Sequence, residues 1–321
     1  MVDLSIDLPK GFLDDEPKTL IVSRRRKEVW AVTLDLLVQL DRVCRKHDIR
    51  YFCDGGTLLG AVRHGGFIPW DDDIDVIMSR AEYEKLNAIA PSEFQHPYFW
   101  QTNETDPGSA RGHAQLRNSD TTAILKTEMR DGKALYTFNQ GVFIDIFPFD
   151  NLPDDEGERK AFRKKLLEFK ILIERIKATQ LAARNGLHGF PTLRKARLFC
   201  HIAQLHVWER LHGCDRLTET VRELERTAQM FNGTATREMA PVSFLPQHRE
   251  VLPSNFFDES VELDFEFLKI PVMKHHIEAL SINYGNWHEH VIGGAPHGGL
   301  YIDTDRPYTE YLPTDPAHLR P

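Results

Sequence analysis

The spacing of hydrophobic residues divides the first half of the chain into alternating helices and strands. Apolar side chains recur every three or four positions over residues 24–47, which predicts an amphipathic helix. A glycine turn at 54–56 is expected to open a second helix at Thr57, and Ser79 with Glu82 forms a capping box that starts a third, ending near residue 89. Short apolar runs predict strands at residues 50–53, 74–78, 98–101, 113–117, 121–125 and 141–150.

The pattern becomes helical after a polar turn at 151–157. Helices are predicted over residues 158–184, 193–211, 215–230 and 274–284, and the alternating run 261–270 predicts one long strand. We therefore expect a flexible lead-in at 1–23, a core at 24–152, and a helical and loop-rich C-terminal part at 153–321 that packs on the core.

Four carboxylates, those of Asp71, Asp72, Asp73 and Asp75, lie within five residues. Such charges repel one another unless a cation lies among them, although a run of charge is more often a solvated loop. This run leads directly into the apolar strand at 74–78. In a strand Asp73 and Asp75 point to one side and Asp72 to the other, and Asp71 precedes the strand. Asp71 and Asp72 are therefore expected either to support the ligand pair from behind or to be solvated. Paired hard oxygen ligands suit Mg²⁺ or Mn²⁺.

A second aspartate motif follows. Asp145 interrupts an apolar strand between Ile144 and Ile146, where an unpaired carboxylate is costly to bury. A structural arginine partner would explain it, but a third ligand to the same cation is the better account beside the upstream cluster.

Groups that contact phosphate are expected near these carboxylates. Gly55, Gly56 and Thr57 form a strand–turn–helix junction that can present backbone N–H groups to a phosphate. Arg63 and His64 follow on the same helix. Further cations between the two aspartate motifs are Arg111, Arg117 and Lys126. For each cation, a solvated or core-covering role is the alternative.

Composition excludes several classes of protein. The net charge of −8 argues against a nucleic-acid binder that works through a basic surface. The four cysteines (Cys44, Cys53, Cys200 and Cys214) form no Cys-x-x-Cys pair, which indicates a reduced compartment and no zinc signature. No apolar run approaches about 18 residues and the N-terminus lacks signal-peptide character, so a soluble cytoplasmic protein is expected.

Other possible metal or catalytic sites have weaker support in the sequence. His288, His290 and His297 could ligate a metal but lie in a stretch typical of a loop, and Asp303-Thr-Asp305 is interpreted as a turn. There is neither a Gly-x-Ser-x-Gly elbow nor a Gly-x-x-x-x-Gly-Lys-Ser/Thr loop, which argues against a serine hydrolase and a P-loop enzyme.

The segment 51–76, YFCDGGTLLGAVRHGGFIPWDDDIDV, resembles the signature of the LicD family, the phosphorylcholine transferases related to fukutin and fukutin-related protein. The preceding helix and the run VFIDIFPFD are similar to that family too, and Tyr284-Gly285 more weakly. The resemblance implies an α+β fold with a nucleotidyltransferase-like, polymerase-β-type core, in which a short mixed sheet flanked by helices carries the aspartates. It also implies that 24–152 is the catalytic core and 153–321 the acceptor side.

For the site, the resemblance implies that Asp73 and Asp75 are the metal-binding pair, Asp145 the third carboxylate, and Gly55, Gly56 and Thr57 the turn near the phosphate. The implied reaction is Mg²⁺- or Mn²⁺-dependent transfer of a phospho-alcohol from a CDP-activated donor to a sugar hydroxyl of a polysaccharide or lipopolysaccharide, with release of CMP. The expected partners are that donor and a glycan acceptor, with association at the surface of membrane glycan machinery as a further expectation. Alternatives are a nucleotidyltransferase that attacks the nucleotide phosphorus and a non-catalytic glycan- or nucleotide-binding protein.

Overall fold

The computed structural model describes residues 1–15, 22–184, 192–241, 250–289, 291 and 299–313 of the 321-residue chain, with the backbone alone at 183–184 and 192–198. The helices are α1 (Arg24–Lys46), α2 (Gly55–His64), α3 (Arg80–Glu93), α4 (Glu156–Arg184), α5 (Thr192–His212), α6 (Arg216–Ala228) and α7 (His276–Tyr284). The strands of the first half are β1 (Phe52–Cys53), β2 (Asp75–Ser79), β3 (Tyr98–Gln101), β4 (Ala114–Asn118), β5 (Thr122–Leu125), β6 (Met129–Arg130), β7 (Lys133–Ala134) and β8 (Val142–Asn151). Those of the second half are β9 (Glu238–Pro241), β10 (Leu252–Pro253), β11 (Ser260–Phe265), β12 (Leu268–Met273) and β13 (Leu300–Asp303).

A seven-stranded mixed sheet forms the centre of the fold. Its order is β1–β2–β8–β4–β3, and β9 pairs with the far end of β8 and with β10. The long strand β8 runs parallel to β2 and antiparallel to β4 and β9. The predicted α+β class, with a mixed sheet flanked by helices, is therefore confirmed.

Alternation along β8 gives the sheet a buried face and a cavity face. Val142, Ile144 and Ile146 are buried in the main hydrophobic cluster, to which α1 contributes its apolar stripe. Phe143 and Asp145 point the opposite way and line open cavities. The apolar face therefore anchors the strand, and the Asp145 side chain is left on the open side.

Two strand predictions need correction. The run 261–270 is a hairpin, not one strand, because β11 and β12 pair around a turn at Glu266, whose φ is +54°. Alternation looks the same in one long strand and in two paired ones, and this turn lacks the usual Gly, Asn or Pro. The second correction concerns Asp73, which lies in the link before β2, since that strand begins at Asp75.

The two ends of the chain also contact the core. Ser5, in the segment expected to be flexible, donates its backbone N–H and its hydroxyl to Asp35 of α1. Strand β13 pairs with β5, and the hairpin of β11 and β12 adds buried side chains to the main cluster. The C-terminal part therefore contributes strands as well as helices.

Helices α4, α5 and α6 share a second hydrophobic cluster, which includes Phe162, Leu166, Leu205 and Val221. In the described part of the chain, no helix combines the length and the apolar character needed to cross a membrane.

Candidate active site

Strand pairing brings the two aspartate motifs together. Asp75 on β2 and Asp145 on β8 are register partners, and the Asp145 N–H donates to the Ile74 carbonyl at 3.0 Å. Asp73 lies just ahead of this pair. Residues separated by some seventy positions thus present carboxylates on the cavity face of the sheet, and the structure brings together the two motifs that the sequence pointed to.

The glycine turn lies directly against these carboxylates. The Thr57 hydroxyl accepts a hydrogen bond from the Asp75 N–H at 2.9 Å. A Cβ atom on Gly55 would lie 2.7 Å from Asp75 Oδ2, and one on Gly56 would lie 2.5 Å from Asp71 Oδ2. Gly55 also has a φ of +58°, which favours glycine. Any side chain here would displace the carboxylates, so the turn keeps space beside them.

Electrostatic repulsion among the carboxylates is strong. Burial raises the pKa of Asp73 well above its usual range, and the charges of Asp75 and Asp71 raise it further. Burial and the charge of Asp145 do the same to the pKa of Asp75. Such a group of acids accepts protons or a cation readily, because either relieves the repulsion.

Asp145 is held differently. Burial by itself would raise the pKa of its carboxyl, but hydrogen bonds and charge from His113, hydrogen bonding from Gln115 and the charge of Arg111 lower it overall. His113 Nε2 and Gln115 Nε2 both contact Asp145 Oδ1, at 2.9 and 2.6 Å. Since both bonds end on Oδ1, Oδ2 is left for another partner.

Asp71 lies behind Asp73, which is one of the two positions that the sequence left open for it. Its carboxyl is hydrogen-bonded to Asp73, and burial raises its pKa. Trp30 Nε1 and Arg26 Nη1, both on α1, donate to its carbonyl oxygen at 2.8 and 3.1 Å. Helix α1 therefore fixes the backbone of Asp71 beside Asp73, and Asp71 and Asp72 both line the first cavity.

The donor set suits a hard divalent cation. Within the described ranges no three His, Cys, Asp or Glu side chains form a preformed metal-binding group. The charge of Asp145 nevertheless raises the pKa values of both Asp73 and Asp75, so the three carboxylates lie close together, and they offer oxygen only. Oxygen donors of this kind fit Mg²⁺ or Mn²⁺ better than Zn²⁺.

The structure adds little support for a metal site at the histidines or at Asp303 and Asp305. His290 and His297 lie outside the described residues, and His288 stacks on Trp287. The turn at Asp303 is confirmed: the Asp305 N–H donates to Asp303 Oδ1 at 2.9 Å, and Arg306 and Tyr311 bind the other oxygen.

Two cavities flank the carboxylates. The first, of about 480 Å³, has aromatic walls at Trp70, Tyr284 and Trp287. The second, of about 380 Å³, is lined by more polar groups, among them Arg111 and His113. Asp73 and Asp145 line both cavities. The site therefore has room for two molecules next to the same carboxylates.

The predicted cations have different positions. Arg63 lines the first cavity and donates through Nη1 to the carbonyl oxygens of Trp287 and Glu289, each at 3.2 Å. His64 is exposed at the end of α2 and lines neither of the two cavities.

Arg117 corrects the prediction of a direct phosphate contact. It is fully buried, and its guanidinium donates to Gln101 Oε1 at 2.6 Å, to the Gly141 carbonyl at 2.5 Å and to Gln115 Oε1. Because Gln115 Oε1 faces Arg117, Gln115 Nε2 faces Asp145. Arg117 is thus a positioning residue behind Asp145, with no side open to a substrate.

Arg111 carries the least compensated positive charge at the second cavity. No ion pair joins its guanidinium to another described residue, and its Nε is buried without a hydrogen-bond partner. It lowers the pKa of Arg117 and of Lys177 on α4, although burial is the larger cause for both. An anionic ligand beside Asp145 would relieve this repulsion.

Sequence reasoning missed His113 and Gln115. The signal was present, since polar residues at 113, 115 and 117 recur at the two-residue period of a strand face. Register places Gln115 directly opposite Asp145, so this polar face of β4 supports the carboxylate.

Comparison with known proteins defines the class to which this fold and site belong. Residues 48–171 match the LicD/FKTN/FKRP nucleotidyltransferase domain. This range includes the glycine turn, all four clustered aspartates and Asp145, and the chain therefore contains a domain of the LicD family.

Particular relatives support the match. The chain is 26% identical over 268 residues to the lipopolysaccharide cholinephosphotransferase LicD of Haemophilus influenzae, a similarity that covers 81% of this chain and 90% of that relative. A shorter stretch of 28 residues is 61% identical to the human and mouse ribitol 5-phosphate transferase FKRP, covering 9% of this chain and 6% of those proteins.

Proposed function

We propose that this protein is a transferase that moves a phospho-alcohol, phosphocholine or a phospho-polyol, from a CDP-activated donor to a sugar hydroxyl of a glycan and releases CMP. The observation that carries the proposal is the pairing of Asp75 with Asp145 beside a glycine turn, with a cavity on each side. Both named relatives transfer phosphorylated alcohols, choline phosphate or ribitol 5-phosphate. The domain would then be a nucleotidyltransferase-like core adapted to such transfer.

Asp73, Asp75 and Asp145 Oδ2 would hold Mg²⁺ or Mn²⁺, and Asp71 would support Asp73. The bound ion would neutralise charge on the donor diphosphate and on the departing CMP. The glycine turn supplies backbone N–H groups and the positive end of α2 for a phosphate. His113 and Gln115 fix the Asp145 carboxylate so that Oδ2 faces the reacting groups.

In the transfer step, the acceptor hydroxyl attacks the phosphorus that bears the alcohol. A new P–O bond to the sugar forms, the bond to the CMP oxygen breaks, and the hydroxyl proton passes to solvent or to Asp145. Two cavities that share Asp73 and Asp145 would allow donor and acceptor to reach the same carboxylates, one from each cavity. Such an arrangement supports transfer between two substrates.

The proposal is tested by incubating the purified protein with CDP-choline or CDP-ribitol, Mg²⁺ and lipopolysaccharide, and measuring CMP. Asp73→Asn and Asp75→Asn should each abolish CMP release without unfolding the protein. Asp72→Asn is the matched control, because it removes one charge from the same run at the cavity wall, and it should retain most activity. Equal activity of all three variants would contradict the assignment.

Product analysis separates the remaining possibilities. CMP together with a phosphocholine- or phosphoribitol-labelled glycan supports the proposed transfer. Transfer of the nucleotide itself, with free phospho-alcohol as the product, would instead identify a nucleotidyltransferase. Mg²⁺-dependent binding of CDP-choline in calorimetry, with no product from any donor and acceptor offered, would identify a binding protein.

A further inference from the structure

Positive charge is concentrated on one helix pair of an acidic chain. Helix α4 carries nine Lys and Arg against four Glu, and α5 carries four Lys and Arg against one Glu. The whole chain has 40 Lys and Arg against 48 Asp and Glu. The rest of the chain is therefore strongly acidic, and the sequence of α4 and α5 is basic by contrast.

The same helices expose large apolar side chains. Leu167 and Ile171 on α4 are 43% and 51% exposed, and Phe199, Val207 and Leu211 on α5 are 66%, 58% and 76% exposed. These five are half of the large hydrophobic residues exposed in the described part of the chain. Single exposed apolar residues are ordinary, but a concentration on two contacting helices indicates an interaction surface.

On α4 the two features share one face. Lys160, Lys164, Leu167 and Ile171 recur at helical spacing, opposite the buried side chains of the second hydrophobic cluster. Lys160, Arg163 and Lys164 are exposed and make no ion pair with another described residue. These cations are thus available to an anionic partner at the same face as the apolar side chains.

On α5, Phe199 and Val207 lie on the side away from the buried Leu205, and Arg210 is exposed near them. A helix that combines an apolar stripe with Lys and Arg is typical of one that rests in the interface of a bilayer.

We propose that the outer faces of α4 and α5 dock on the surface of an anionic phospholipid bilayer. Basic side chains would meet lipid phosphates, and the apolar side chains would enter the boundary between headgroups and acyl chains. A second copy of the chain fits less well, because two surfaces of the same positive charge repel each other. Nucleic acid offers no apolar region for Leu167, Ile171 and Phe199.

Helix α4 also reaches the candidate active site through another of its sides. Lys177 of α4 lies near Arg111 and Glu128, which line the second cavity. The docking itself does not depend on the proposed transferase activity and is tested without it.

The test is co-sedimentation of the full chain with vesicles of phosphatidylcholine alone, or mixed with phosphatidylglycerol, at low and high salt. We expect binding to the anionic vesicles only, weakened by salt. Each basic residue near an anionic surface contributes about 1 kcal/mol, so removing three should weaken binding about 100-fold at low salt. The charge variant is Lys160→Gln, Arg163→Gln and Lys164→Gln.

A matched control removes three positive charges from exposed positions outside this surface: Lys85→Gln, Lys269→Gln and Lys274→Gln. Its affinity for the anionic vesicles should be within a few-fold of that of the wild-type protein. Ile171→Ser with Phe199→Ser should reduce the binding that persists at high salt, while Ile277→Ser, at an exposed position on α7, should not.

Three outcomes would overturn the docking proposal. They are equal binding to neutral and anionic vesicles, equal loss in the two charge variants, and no vesicle binding by the wild-type protein. A dimer that light scattering detects and that Ile171→Ser with Phe199→Ser dissociates would identify a second copy as the occupant instead.

Discussion

Replacing Gly55 with alanine tests whether the glycine turn matters for catalysis because it leaves space beside the Asp75 carboxylate, or only for stability because it allows a positive φ. The substitution has two physical consequences. Alanine at a φ of +58° costs about 1–2 kcal/mol of conformational energy. Its Cβ would also lie 2.7 Å from Asp75 Oδ2, where ordinary contacts begin at 3.4 Å, so the carboxylate or the start of α2 must move.

The size of that movement sets the expected loss of activity. A displacement approaching 1 Å at a catalytic group can reduce turnover about 100-fold. We therefore expect Gly55→Ala to lower the rate of CMP release by between about tenfold and 100-fold, in addition to its modest destabilisation. The rate is measured with CDP-choline or CDP-ribitol and corrected for the folded fraction, which circular dichroism supplies.

Gly65, at the other end of α2, provides the matched control. Its φ is +66°, but a Cβ atom there would meet no atom within 4 Å. Gly65→Ala should therefore lose about the same free energy of unfolding and keep its turnover. If both variants release CMP at the same corrected rate, the contact between the turn and Asp75 does not matter for catalysis and our reasoning fails.

Three further predictions concern buried charges. Arg80→Ala should lower the free energy of unfolding by about 3–5 kcal/mol in denaturant titrations, because Asp150 would lose the two hydrogen bonds of 2.8 Å that Arg80 donates and stay buried without its cationic partner, keeping the hydrogen bond from Asn232. Arg111→Gln should raise KM for the phosphorylated substrate about tenfold without shifting the unfolding midpoint, because no residue in the described part of the chain forms an ion pair with it; an unchanged KM would remove it from the site. Burial raises the pKa of Glu225 from 4.5 to about 7, so stability present at acidic pH is lost as pH rises through 7. The free energy of unfolding of Glu225→Gln should therefore be higher than that of the wild-type protein by up to about 3 kcal/mol at pH 8. At pH 4 the two values should be equal, as measured by thermal or denaturant unfolding.

Much of the candidate site could be predicted because its chemistry is local in sequence. The glycine pair, the run of aspartates and the isolated Asp145 each break an otherwise apolar pattern, and such interruptions are costly unless a ligand or partner compensates them. The strand assignments around Asp75 and Asp145 also followed from periodicity. Their pairing as neighbours could be expected because both carry carboxylates that a shared cation would stabilise.

What the sequence alone could not give was the environment of each charged group. Arg117 has the side-chain chemistry of a phosphate ligand but is buried behind Gln115. For Asp71 the sequence left open whether it supports the ligands or is solvated, and contacts with α1 decide that it lies behind Asp73. In both cases the deciding contacts come from residues distant in sequence. The exposed fraction and hydrogen-bond partners of a side chain depend on which elements pack around it, and local spacing does not encode that.

The hairpin of β11 and β12 also shows which features follow from local sequence and which depend on tertiary contacts. Alternation along 261–270 determined that this segment is extended and half-buried, and it placed the apolar side chains toward the core. Tertiary contacts decide the point at which the chain reverses. The Glu266 N–H donates to the Gly65 carbonyl at 2.7 Å, and the Glu266 carboxylate accepts from the Phe67 N–H at 3.0 Å. Periodicity is a property of neighbouring residues and can be read along the chain, whereas a turn without glycine or proline depends on hydrogen-bond partners that only folding brings near.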